Sequence, residues 1–267
     1  MKKIIIIISA LCLGIIAVTW LYFKKLNSSN ISNEKIFTVL PQDASIIFEY
    51  KNEAYFYDIF KEFTLFADIL GKDNITHLTA LKQIFVDDAT IASGFKQSDI
   101  FFSIHPTDKY TSDILIVAPI AIENTNKEDL LASLKGKYKI TEKSGKENTI
   151  YQLAFSNKSN FSFFIYKNLI VGSFEANLVE KSLGQISKGT ENTNFNVDFS
   201  ALRNKNSIAN LYLNFTKIRG FANHFSSRKN PYETYFLKNI DASASLNINY
   251  QKNAFMFSGV TNPNLKA

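Results

Sequence analysis

The residues able to do chemistry are few and scattered. His77, His105 and His224 are the only imidazoles, and Cys12 is the only thiol. A zinc site asks for about four ligands, usually at short paired spacing. The three histidines stand far apart, none lies near the cysteine, and neither H-x-x-x-H nor H-E-x-x-H occurs. They read as surface or half-buried side chains. Two carboxylate pairs, Asp87-Asp88 and Glu128-Asp129, are adjacent in sequence. Neighbouring side chains diverge on a helix or a strand, so neither pair is a working acid/base couple. Asp87-Asp88 suits a turn, and Glu128-Asp129 suits the first turn of a helix, where the dipole favours negative charge.

Ser173 follows Gly172 where a strand should give way to a helix, faintly like a nucleophile elbow. The second glycine of that motif is missing, because Glu175 occupies its place, so Ser173 is expected to cap the helix. With only ten glycines, the chain has no phosphate-binding glycine loop and no dinucleotide fingerprint. Catalytic, cofactor-binding and metal-ligating residues are therefore all expected to be none. The one unusual cluster is aromatic: Tyr55, Phe56, Tyr57, Phe60, Phe63 and Phe66. Most of it should pack the core. Tyr55 and Tyr57 fall off the expected buried face, where they could meet lipid, glycan or a partner protein.

The elements that must position these residues follow from periodicity. Asp43 to Tyr50 reads as a strand, and Asn52 as the cap of the next element. Phe56, Ile59, Phe60, Phe63, Phe66 and Leu70 recur at helical spacing, with Gly71 at the helix end. A second helix spans Ile75 to Phe85. Strands are expected over Asp99 to His105 and Ser112 to Ile120, then a helix over Lys127 to Leu134. Four more strands follow: Tyr138 to Glu142, Thr149 to Phe155, Phe161 to Tyr166 and Leu169 to Ser173. Lys167-Asn168 joins the last two as a tight hairpin. A helix over Glu175 to Ile186 follows, and then a polar linker, Ser187 to Asn194. Beyond it come a strand (Ser207 to Phe215), a helix (Thr216 to Phe225) and a final hairpin (Ala242 to Tyr250 and Ala254 to Val260).

The class is α+β, an antiparallel sheet with helices mostly on one face. Its order of strand, aromatic helix and strand pair recurs after residue 190, which suggests an incomplete internal duplication. Residues 41–190 would form the first unit, and 191–267 a second, shorter unit packed on it.

Ile4 to Phe23 is a run of twenty residues without a charge, flanked by Lys2-Lys3 and Lys24-Lys25. As a helix it spans roughly 30 Å, the thickness of the hydrocarbon core. Bulky Trp20-Leu21-Tyr22-Phe23 stands where a cleavage site should be, so the run reads as an uncleaved anchor over residues 1–25. Leu11 before Cys12 argues against a lipoprotein signal, and the lack of an acid before Glu34 argues against a pilin. Residues 26–40 then form a polar tether. The short lysine-bearing tail favours a cytoplasmic N-terminus. The formal net charge is +6, but four of those charges are the flanking lysines, leaving +2 for residues 26–267. With only three arginines as well, nucleic acid is excluded as a partner, because its binding needs a concentrated basic face.

LPQDASIIFEYKN, FSFFIYKNLIVGSFEANLVEKSLGQI and FNVDFSALRNKNSIANLYLNFTKI together resemble a group of membrane-anchored envelope proteins of Bacteroidetes-type bacteria, a domain of unknown function. The resemblance spans most of residues 37–260. It implies location and fold class, and supplies no catalytic residues. The expected protein sits in the inner membrane by a single pass, with its C-terminal domain in the periplasm. Its partners would be the bilayer, through the N-terminal helix, and an envelope protein. Its role would be non-catalytic binding or scaffolding, with no cofactor. The alternatives are a hydrolase of an envelope polymer or lipid, which needs converging carboxylates, and a lipid-binding module, which needs an apolar cavity.

Overall fold

The computed structural model describes residues 13–16, 18–19, 33–96, 98–106, 112–121, 125–144, 148–155, 159–189, 207–225, 237, 239–251 and 254–263. The chain is α+β, built on one open sheet of ten strands. These are β1 (Ile46–Lys51), β2 (Asp99–Pro106), β3 (Ser112–Pro119), β4 (Lys139–Ser144), β5 (Thr149–Ala154), β6 (Asn160–Tyr166), β7 (Leu169–Ser173), β8 (Ala209–Asn214), β9 (Ala242–Gln251) and β10 (Ala254–Pro263). Their order is β10-β9-β8-β1-β2-β3-β7-β6-β5-β4, and every neighbouring pair is antiparallel. The segments before and after residue 190 thus share one sheet, joined where β8 lies along β1.

Side chains alternate across strands, so the sheet has two faces. One carries Phe48, Tyr50, Phe102, Ile104, Ile116 and Phe163. It is covered by α2 (Ala54–Glu62), α3 (Thr64–Leu70), α4 (Lys72–Lys82), α5 (Ala89–Ala92), α6 (Lys127–Lys137) and α8 (Phe215–Phe225). The other face carries Ile47, Phe101, Leu115, Val117, Phe164 and Tyr212 beneath α1 (Asn33–Val39) and α7 (Ala176–Ser187).

Residues 33–40, placed in the tether by their polar start, belong to the fold. Ile36, Val39 and Leu40 of NEKIFTVL are fully buried against the second face, so burial overrides the composition. The long aromatic helix is broken in two at Phe63, whose backbone is extended (φ −91°, ψ 115°). The break turns the Phe63 ring toward Tyr250 and Phe255 of the last hairpin, 5.3 and 4.9 Å away. Gly71 ends α3 at φ 85°, as its spacing predicts. Lys167, at φ 52°, makes the two-residue turn between β6 and β7.

Among the described residues no helix is long and apolar enough to cross a membrane. Most of Ile4 to Phe23 and all of 26–32 lie outside those residues, as do 190–206 of the linker region. The described part of the apolar run, 13–16 and 18–19, is helical.

Candidate functional site

Two polar constructions lie at opposite ends of β1 and β2. At the end where β1 leaves the sheet, Asn52 is held by three elements. Its Nδ2 donates to the carbonyls of Phe85 (2.9 Å) and Phe95 (3.4 Å), and its Oδ1 accepts from the Tyr57 hydroxyl (3.1 Å). Asn52 is therefore not a helix cap. The cap position belongs to Glu53, whose side chain makes no cap bond. Tyr57 is buried, against the expectation that it lies off the face, and only Tyr55 is exposed. The Tyr57 hydroxyl accepts from Tyr50, and burial pushes both phenols upward, so both stay protonated donors.

Phe85 belongs to a single π-helical turn, Gln83–Asp87, that closes with Asp88 N–H donating to the Gln83 carbonyl (3.0 Å). Such turns are frequent at functional sites. Asp88 then caps α5 by accepting from Thr90 and Ile91, and takes Lys137 as its ion pair at 2.6 Å. Asp87 turns away to Lys82 (3.5 Å), so the two carboxylates diverge. Glu128 and Asp129 occupy the first turn of α6, where Asn126 accepts from the Asp129 N–H.

Between this turn, the start of β2 and the start of β8 lies a cleft of about 700 Å³. That volume falls within the usual range for a small-molecule site. Lys51, Glu53, Lys96 and Asp99 supply charges of both signs at its lining, with Asn52, Ser93 and Ser207 between them. Glu49 and Asn210 also line it. Both are buried, and the Glu49 carboxylate accepts from Asn210 Nδ2 (3.2 Å) and from the Tyr212 hydroxyl. Ser207 donates to Asn210 Oδ1 (3.0 Å), so the β8 wall is fixed by its own hydrogen bonds.

At the other end, Ser103 Oγ lies 2.8 Å from His105 Nε2, and His105 Nδ1 lies 3.1 Å from Asp43 Oδ1. Residues two apart on a strand share a face, and this places Ser103 and His105 side by side. Spacing predicts for His105 an isolated imidazole, at most half-buried. It is 2% exposed, and Ser103 is 0% exposed, because α1 and α7 roof this face. The order Ser–His–Asp matches a nucleophilic triad, but that hydroxyl meets no solvent, so the arrangement pins the strand to the Asp43 loop. Lys181 of α7 brings a cation to Asp43 at 3.4 Å. The hydrogen bond from His105, helped by Lys181, holds the Asp43 carboxyl well below the usual range.

Ser173 is buried in the strand-to-helix turn. Its hydroxyl donates to the Ile114 carbonyl (2.7 Å) and accepts from the Glu175 N–H (3.0 Å). Glu175, not Ser173, holds the cap position of α7. His224 falls in α8 and Cys12 in the apolar run, and the side chains of both lie outside the described residues. Among those residues no three of His, Cys, Asp and Glu gather as a metal would require.

His77 stacks flat on Phe174, with ring centroids 3.8 Å apart, and burial lowers its pKa from 6.5. The unfolded chain therefore takes up this proton first as pH falls. Stability from His77 is complete above about pH 6.5 and declines below it, until the folded imidazole itself titrates. Asp43 acts in a lower window, contributing fully above its ordinary 3.8 and losing that contribution below. Urea midpoints measured from pH 7.5 to 5 should fall for the native chain and fall less for His77→Phe. Parallel curves would show that the ring carries no such linkage.

No family model, no curated protein and no solved structure matches the chain.

Proposed function

We propose that this is a membrane-tethered binding protein of the cell envelope. In this reading the first 25 residues anchor it in the inner membrane, and the α+β domain presents its cleft to the periplasm. The observation that carries the reading is the cleft itself. Cationic and anionic side chains face a space large enough for a small molecule, and the wall groups Asn52, Asn210 and Glu49 are locked by hydrogen bonds beforehand. Charges of both signs beside polar groups that are already locked suit a small zwitterionic ligand, such as a short peptide, because that part of the wall needs little ordering on binding.

Binding is favoured over hydrolysis because the one Ser–His–Asp grouping among the described residues is sealed under α1 and α7, away from the cleft. A lipid-binding module is disfavoured because aromatic rings fill the space between sheet and helices. Phe48 stacks on Phe102 at 5.2 Å, and Phe60 meets Phe56 and Phe66 at 4.9 and 4.8 Å. The anchor is supported by Leu13, Ile15, Ile16 and Val18, helical apolar residues that are each more than half exposed. In the same reading the β1–β2–β3 and β8–β9–β10 meanders are an incomplete duplication, related by a local twofold where β1 and β8 pair.

A single cysteine tests place and site together. Lys96→Cys in a Cys12→Ser background should react with a membrane-impermeant maleimide in cells whose outer membrane alone is permeabilised. Millimolar zwitterionic dipeptides should slow that reaction. Labelling only after lysis sinks the topology, and labelling indifferent to the dipeptides sinks the cleft.

A further inference from the structure

The two ends of the sheet are built differently. β4 is short and carries Lys139, Glu142 and Lys143. Such charges keep other strands from adding to an edge. β10 is ten residues long, AFMFSGVTNP, without a single charge. Met256, Phe257 and Val260 are 55%, 53% and 42% exposed. Among the described residues its outer edge has no neighbouring strand. An edge of this kind is a template for strand addition.

The fold indicates what belongs there. In the first meander the outer edge of β3 is taken by an antiparallel strand, β7, with Ile116 opposite Gly172 and Pro119 opposite Leu169. β10 holds the same position in the second meander, and its edge is open among the described residues.

We propose that β10 pairs antiparallel with β10 of a second copy, about a twofold axis at Ser258, so that two sheets become one. An axis at Ser258 sets Met256 opposite Val260 of the other copy on one face, and Phe257 opposite Gly259 on the other. All three exposed apolar side chains then find cover at once. Gly259 has no room for a side chain, because a Cβ there would run into the Ser245 carbonyl and Leu246 Cα of β9. The incoming Phe257 ring can lie over that bare backbone, a pairing that offsets the weakness of glycine in a strand. The chain already uses this device inside the sheet, where the Phe161 ring lies across Gly172. An uncharged strand also meets its copy without like-charge repulsion, which the Lys139 and Lys143 edge could not do in every register. This pairing is independent of the cleft and of where in the cell the domain lies.

The test uses the full chain in cells, carrying Cys12→Ser and one cysteine at a time from 256 to 260, with Thr141→Cys on β4 as control. A twofold brings only the axial residue within disulfide distance of itself. Under mild oxidation the disulfide-linked dimer should peak at Ser258→Cys, at least tenfold above Thr141→Cys. Adding Met256→Lys and Phe257→Lys should abolish it while the melting temperature stays within about two degrees, since both side chains are exposed. A flat profile, a yield equal to the β4 control, or linkage of Ser258→Cys only to a different protein overturns self-pairing.

Discussion

Replacing Phe60 with alanine is expected to destabilise the domain by about 3–5 kcal/mol, the usual cost of emptying a large aromatic site in a core. Phe60 is buried and sits at the hub of a ring cluster. Its centroid is 4.8–5.7 Å from Phe66, Phe56, Tyr50 and Phe102. The neighbours come from β1, β2, α2 and α3, so collapse around the cavity would have to move two strands and two helices together. Whole domains are stable by only about 5–15 kcal/mol, so the loss is a large share of the total. Urea unfolding of the purified chain measures it, with Tyr55→Ala as the control. Tyr55 lies in the same helix and is 53% exposed, and its removal should change stability by less than about 0.5 kcal/mol. A Phe60→Ala midpoint within error of the control would show that the cluster is not the core.

The same cluster shows what sequence periodicity can and cannot supply. Phe56, Phe60 and Phe66 are legible because a helix repeats every 3.6 residues and burial follows the repeat. The break at Phe63 is not legible, because no glycine or proline marks it, and the rings that Phe63 meets there, Tyr250 and Phe255, lie almost two hundred residues on. The burial of Tyr57 is illegible for a related reason. Its hydroxyl meets Tyr50 and Asn52, so a polar tip that suggests solvent is satisfied inside. The strands themselves were nearly all readable from alternation. Their order was not, because nothing local tells β1 that its second neighbour is β8.

The candidate cleft shows the limit most clearly. Asn52 looks like a cap because caps are local, yet its partners Phe85 and Phe95 are 33 and 43 residues away. Ser103 and His105 could have been placed on one face from their spacing alone, but Asp43, 62 residues before His105, could not. Sites assembled across a sheet leave only fragments in sequence, and fragments of two residues occur everywhere.

Gly172→Ala is the substitution whose cost looks smallest on paper and is expected to be large. Gly172 lies in β7, directly opposite Phe163 and between two paired strands. A Cβ there would run into the Phe161 ring and come 2.8 Å from Phe163 Cβ. No real contact of that kind persists, so the ring must shift. Phe161 is not free to do so, since it packs on Phe174 at 5.2 Å and on Phe163 at 6.0 Å. Overpacking of this kind costs about 1–3 kcal/mol, and Gly172→Val should cost more than Gly172→Ala. Strand propensity alone predicts the opposite sign, because glycine is among the worst strand formers and valine among the best. The two effects separate in a double-mutant cycle. Phe161→Leu shortens the side chain that overhangs the glycine, so Phe161→Leu with Gly172→Ala should be less destabilised than the sum of the single changes by at least about 0.5 kcal/mol. Strict additivity would mean that Phe161 does not constrain Gly172, and a gain in stability for Gly172→Val would mean that propensity outweighs packing at this position.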